Sequence, residues 1–200
     1  MNTEKTKGTG SSRTPFIRQL IRLTESAVLV ALAIGLSYLE LDIGLQGGSL
    51  SLVMIPLVIL ALRHGAGWGV GAGLVFGVIK CALGGGFAWG LASVLLDYVL
   101  AYGIIGVAGF FRVKSAGMAA CAAVVAGVLR FVIHFISGVT IYKLMEATTL
   151  YGIEFSAGGM GSVIAYSIVY NGVYMIPNII VTAIAVAILQ KYLPKTVADI

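Results

Sequence analysis

Few residues of this chain place hydrogen-bonding or ionisable groups inside apolar runs, and those few are where chemistry would happen. Asp97, in SVLLDYVLAYG, is the only acid well inside such a run. Tyr98 adjoins it, and Tyr102 follows Tyr98 by four, on one helical face. A carboxylate away from water is costly unless it meets a cation, hydrogen-bond donors, water or a proton. The plainer reading pairs it with Arg130; the functional one gives it a cationic or donor-rich ligand. A second cluster, RFVIHFISGVTIYKLME, repeats Arg130, His134, Gly138 and Tyr142 every four residues, one slowly rotating helical stripe. His134 donates and accepts hydrogen bonds or stacks, Gly138 leaves room for something flat, and Tyr142 offers an aromatic face. A third, AYSIVYNGVYMIPN, runs Tyr166, Tyr170 and Tyr174 at intervals of four, with Asn171 at an angle to them and Asn178 deeper. An interfacial aromatic belt would account for Tyr166. It would not account for Asn171, which must find hydrogen-bond partners. Phe87 and Trp89, in GGGFAWG, add aromatic surface from a connection. A carboxylate, a histidine, tyrosines and an asparagine together suit a flat heteroaromatic ligand, above all a cation. No second His or Cys stands near His134, so no metal is expected there. Asp97 and His134 as acid and base of an intramembrane enzyme are the alternative from another class, with no nucleophile motif or second carboxylate to complete it.

The elements that must position these groups are transmembrane helices. The chain is 59% hydrophobic and 10% charged, with a mean hydropathy of +1.02. Soluble domains are roughly 25% charged, so a soluble globular enzyme is excluded. Residues 1–20 are polar, Gly/Ser-rich and basic and read as a flexible cytoplasmic tail; 193–200 read as a second tail, and 21–192 as one membrane domain. Apolar segments fall at roughly 22–39, 50–62, 66–83, 89–111, 116–142 and 162–190. The expected fold is therefore an all-α integral membrane protein of six transmembrane helices. The second segment is short and holds Pro56, so a tilted, kinked or partial span is expected there.

Charge orients the bundle. Six spans put both termini on one side, where ten Lys and Arg then fall: Lys5, Lys7, Arg13, Arg18, Arg22, Arg63, Arg112, Lys114, Lys191 and Lys195. The other side has Lys80 and Lys143. The positive-inside rule makes both termini cytoplasmic, in the plasma membrane, and puts the polar clusters in the outer half of the bilayer. The net charge of +5 is explained by this asymmetry, with no basic stripe for nucleic acid. No GxxxxGK[ST] occurs, so the chain is not expected to hydrolyse ATP. Ala27, Ala31 and Gly35 form a small-xxx-small face on the first span, suited to a close-packed partner helix or to packing within the protein.

In this order, SLVMIPLVILALRHG (51–65), LLDYVLAYGIIGVAG (95–109), RFVIHFISGV (130–139) and YSIVYNGVYMIPN (166–178) resemble the thiamine-specific S-components of energy-coupling factor (ECF) vitamin transporters. The resemblance covers most of the chain after residue 20. It implies an S-component-like bundle that binds thiamine from outside, needs no cofactor, and relies on a transmembrane coupling subunit (EcfT-like) and two ATPase subunits for uptake. It carries ligand-binding roles onto Asp97 (where the family usually has Glu), Tyr98, His134, Gly138, Tyr142 (where the family has Trp in places), Tyr166 and Asn171. It carries partner docking onto Ala27, Ala31 and Gly35. A sister S-component for another vitamin, or for the precursor hydroxymethylpyrimidine, is the nearest alternative.

Overall fold

The computed structural model describes residues 15–43, 48–84, 90–145, 149–150, 153–154 and 159–192, with the side chains of 141–145, 149–150 and 153–154 excepted. Helix α1 spans Pro15–Leu36. Residues 15–20, expected in the tail, are thus helical: Pro15 suits a first helical position because its missing N–H would have had no partner there. A two-stranded hairpin follows, β1 (Leu41–Asp42) antiparallel to β2 (Ser49–Leu50), with Leu41 opposite Leu50 and Asp42 opposite Ser49. Then come α2 (Met54–His64), α3 (Ala66–Leu83), α4 (Leu91–Phe110) and α5 (Ala116–Met145). A second small hairpin, β3 (Thr149–Leu150) with β4 (Ile153–Glu154), leads to α6 (Met160–Leu189).

Five of these helices, α1, α3, α4, α5 and α6, are long and apolar enough to cross a bilayer. Helix α2 has only 11 residues, about 16 Å of rise against a hydrocarbon layer of about 30 Å. Among the described residues the six apolar segments are thus five helices of spanning length and, at the segment with Pro56, one short helix. The core gathers where α2 is surrounded, and Leu57, Val58, Leu60, Ala61, Phe76 and Ile105 are nearly inaccessible. Outward, Val28, Leu32, Val75, Val128, Ile176 and Ile184 are exposed, as a lipid-facing surface requires.

Two features lock the bundle. Helix α3 lies so close to α4 that a methyl on Gly73 or Gly77 would collide with the carbonyl oxygens of Tyr102 and Tyr98, and one on Gly106 with the backbone of Val70. Small residues permit this approach, which gives membrane helices their packing energy without a hydrophobic drive. Ion pairs tie the ends. Arg63 of α2 donates to both oxygens of Glu25 on α1, at 2.8–3.0 Å, and His64 Nε2 lies 2.9 Å from the same carboxylate. Lys80 of α3 reaches Glu40 at 2.7 Å and the Ser37 carbonyl at 3.3 Å, fixing the start of the first connection.

Candidate functional site

Helix α4 is irregular where Asp97 sits. It begins as α-helix at Leu91–Ser93, widens to a π-helix over Val94–Leu100, and tightens to a 3-10 helix over Ile104–Phe110. A π segment costs hydrogen-bond geometry and recurs at functional sites. Here it faces α5. Asp97 Oδ2 accepts from Ser93 Oγ at 2.8 Å and from Ser137 Oγ at 2.6 Å, and Oδ1 lies 2.9 Å from His134 Nδ1. Three donors thus hold the carboxylate, and Arg130 is not among them. Its guanidinium instead lies 4.3 Å from the ring centroid of Tyr102, an aromatic face that accepts a cation. The partner of Asp97 is therefore His134, through a hydrogen bond, and not Arg130 through an ion pair.

The bond to Asp97 sets the state of the imidazole. A carboxylate only accepts, so Nδ1 carries the hydrogen and, in the neutral ring, Nε2 is an acceptor. Nε2 is buried and has no hydrogen-bond partner. The His134 and Tyr174 ring centroids lie 6.1 Å apart, with the planes at 74°. Tyr174 continues into a tyrosine column, meeting Tyr170 at 5.7 Å edge-on, and Tyr170 stacks on Tyr166 at 6.3 Å.

A second polar layer joins α5 to α6. Ser167 Oγ donates to the Phe135 carbonyl at 2.9 Å. Asn171 Nδ2 donates to the Ser167 carbonyl at 2.9 Å and to the His134 carbonyl at 3.3 Å, while its Oδ1 accepts from Tyr174 OH at 2.6 Å. Gly138 makes this layer possible. A side chain there would strike Ser167 Oγ and press on Asn171 Nδ2. The glycine lets α5 and α6 approach closely at this layer.

Of the residues singled out from sequence, Asp97, His134, Gly138 and Asn171 come together. Tyr98 packs partly buried against the main apolar core. Tyr166, 1% exposed, belongs to the tyrosine column. Phe87 and the side chain of Tyr142 lie outside the described residues. Sequence reading passed over Ser93, Ser137 and Ser167. The signal was spacing: Ser93 precedes Asp97 by one turn, Ser137 follows His134 by three residues, and Ser167 precedes Asn171 by four. Among the described residues, no group of three or more His, Cys, Asp or Glu comes together as a metal site would need.

A family profile described as thiamine transporter protein matches residues 23–198. The chain belongs to this family. It is 31% identical over 195 residues to the thiamine transporter ThiT of Bacillus subtilis, covering 89% of this chain and 94% of that one. A ThiT of Lacticaseibacillus paracasei is 25% identical over 193 residues, covering 89% and 90%. The solved structure of ThiT from Listeria monocytogenes superposes with a TM-score of 0.73 at 28% identity, over 88% of this chain and 96% of that one. This family member is thus a transport protein rather than an enzyme, and a multi-pass protein of the bacterial membrane.

Proposed function

We propose that this chain captures thiamine from outside the cell as the substrate-binding subunit of an ECF-type transporter. The observation that carries the reading is the paired state of His134. Asp97 takes its Nδ1–H, which leaves a buried Nε2 acceptor without a partner, on a ring that meets Tyr174 edge-on. The aminopyrimidine of thiamine brings an amine that donates to such an acceptor. Its cationic thiazolium suits a site where the Asp97 charge and tyrosine rings lie close. Cation–π contacts of this kind contribute about 0.5–2 kcal/mol each. Relatives named as thiamine transporters support the same ligand. No cofactor is required for capture.

In this reading both termini are cytoplasmic, α2 with the first connection makes the sixth crossing, and the polar layers between α4, α5 and α6 open outward. The chain carries no ATP-binding motif, so the energy comes from two ATPase subunits acting through a transmembrane coupling subunit. Ala27, Ala31 and Gly35 are all exposed on α1, with nothing within 4 Å of a methyl built on Gly35, which leaves that face open to the coupling subunit.

Titration of the purified, detergent-solubilised chain with thiamine, followed by calorimetry, tests the proposal. Saturable submicromolar binding at one site per chain without ATP is expected, with weaker competition from hydroxymethylpyrimidine and none from riboflavin. A folded protein that ignores thiamine would overturn it.

A further inference from the structure

Glu25 stands in the apolar run of α1, where a carboxylate is costly unless it is paired. The last two residues of α2 pair it. Arg63, whose side chain is 10% exposed, brings Nε to Oε2 at 3.0 Å and Nη2 to Oε1 and Oε2 at 2.9 and 2.8 Å. The His64 side chain is fully buried and brings Nε2 to 2.9 Å from Oε2. A guanidinium that meets both oxygens of a carboxylate fixes orientation as well as distance. Orientation is what the rest of the α1 contact lacks. Along α1 the buried residues are Ser26, Val30 and Ala33, with Ser37 just past its end. Small side chains let helices approach closely and offer few projections to interlock. At about 100° per residue, these residues form one stripe. Glu25 lies on one flank of it, and Ala27 and Ala31 lie across it on the other. Glu25 thus holds α1 from the side away from the small-residue face, where a tie resists rotation of the helix about its axis.

We infer that Glu25 is a positioning residue for transport: its pairing with Arg63 sets the roll of α1, and so the direction in which Ala27 and Ala31 face. The inference rests on the proposed docking of the coupling subunit at that face. Without the carboxylate the Arg63 guanidinium loses this counter-charge, and breaking a largely buried pair from one side favours separation of its two elements. The other end of α1 keeps its own tie, since Lys80 Nζ donates to the Ser37 carbonyl at 3.3 Å. The roll is therefore greatest near Ala27 and fades toward Gly35. Capture does not depend on it, because Asp97, His134 and Asn171 stand on α4, α5 and α6.

The test reads roll, capture and uptake separately, on the full chain. Cys81 and Cys121, both free thiols, are replaced by alanine, and a nitroxide is attached to a cysteine placed in turn at positions 27–32 of the chain reconstituted in lipid. Oxygen dissolved in the bilayer collides most often with labels that face lipid. With Glu25 present, high accessibility is expected at 27, 28, 31 and 32, the exposed positions, and low accessibility at 29 and 30. Glu25→Gln is expected to shift this pattern by at least one position around the helix. Thiamine affinity is expected to stay within about twofold of the wild type, while uptake by cells falls to background. An unmoved pattern overturns the inference. A moved pattern with wild-type uptake overturns it too, and so does a loss of thiamine affinity, which would make Glu25 a support of the ligand site. If Glu25→Gln does not fold, Arg63→Lys, which keeps the charge and loses the fork, is read in the same way. Undiminished uptake by an Ala31→Trp variant would count against the docking reading itself, and the accessibility scan then still decides whether Glu25 sets the roll of α1.

Discussion

At the scale of single residues, Asp97 acts through His134 at least as much as through its own charge. Three donors already occupy the carboxylate, so its main effect is to fix which imidazole nitrogen is free. Asp97→Asn keeps the shape and removes the charge: the amide turns its oxygen to Nδ1–H and its nitrogen to the serine hydroxyls, but a neutral carbonyl oxygen accepts more weakly and offers a cationic ligand no opposite charge. Hydrogen bonds to charged groups contribute about 1.5–3 kcal/mol, so thiamine affinity is expected to fall about tenfold to a hundredfold. Calorimetric titration of the folded variant measures it, and wild-type affinity would remove Asp97 from the site. Ser137→Ala deletes one donor and leaves the tautomer intact. A smaller loss is expected, in keeping with the weaker polar couplings measured inside membranes.

At the scale of elements, the glycines of α3 divide into two kinds that composition alone does not distinguish. Gly73 and Gly77 meet the carbonyls of Tyr102 and Tyr98, the latter within the π segment that carries Asp97, whereas nothing lies within 4 Å of a methyl on Gly71. Gly77→Ala must force α3 away from α4, so it is expected to lower both the thermal midpoint and thiamine affinity. Gly71→Ala is expected to leave affinity unchanged and, by restricting the unfolded chain, to stabilise by about 0.5–1 kcal/mol. Thermal unfolding with and without thiamine separates the two; equal behaviour would refute the close-packing account. Sequence showed the hydropathy of the helices well, because about 20 apolar residues in a row have few other uses. It showed Asp97, His134 and Asn171 because polar groups are conspicuous against that background. It did not show the π-helix, since widening a helical turn leaves no mark on residue type, nor that Ser167 packs against Gly138, since a glycine does not name its neighbour. The short α2 was legible only as a short segment with Pro56; the tie between the segment before it and α6 was not, because it depends on Asn178, 127 residues away from Ser51.

At the scale of the whole molecule, the surface and the site lie on different helices, and this separation makes transport testable apart from binding. Asp97, His134 and Asn171 belong to α4, α5 and α6. The small-residue face of α1 belongs to none of them, and α1 meets the rest of the bundle chiefly through α2 and α3. It is also the least buried of the five long helices, and Val28 and Leu32 flank Ala27 and Ala31 with exposed apolar surface. A lipid-facing helix gains nothing from small residues on its outside, whereas a helix that must receive another closely does. Ala27→Trp and Ala31→Trp fill that face without reaching the polar layers. Thiamine affinity of the purified variants is expected to match the wild type within about twofold, because surface changes away from the site shift free energies by only about 0.5 kcal/mol. Thiamine uptake by cells carrying either variant is expected to fall to background, since under the proposed docking the indole would keep the coupling helix at a distance. Undiminished uptake by both would show that α1 does not receive the coupling subunit. Loss of affinity in either would instead mean that α1 communicates with the site through α2 and the first connection, whose tie to α6 runs through Asn178.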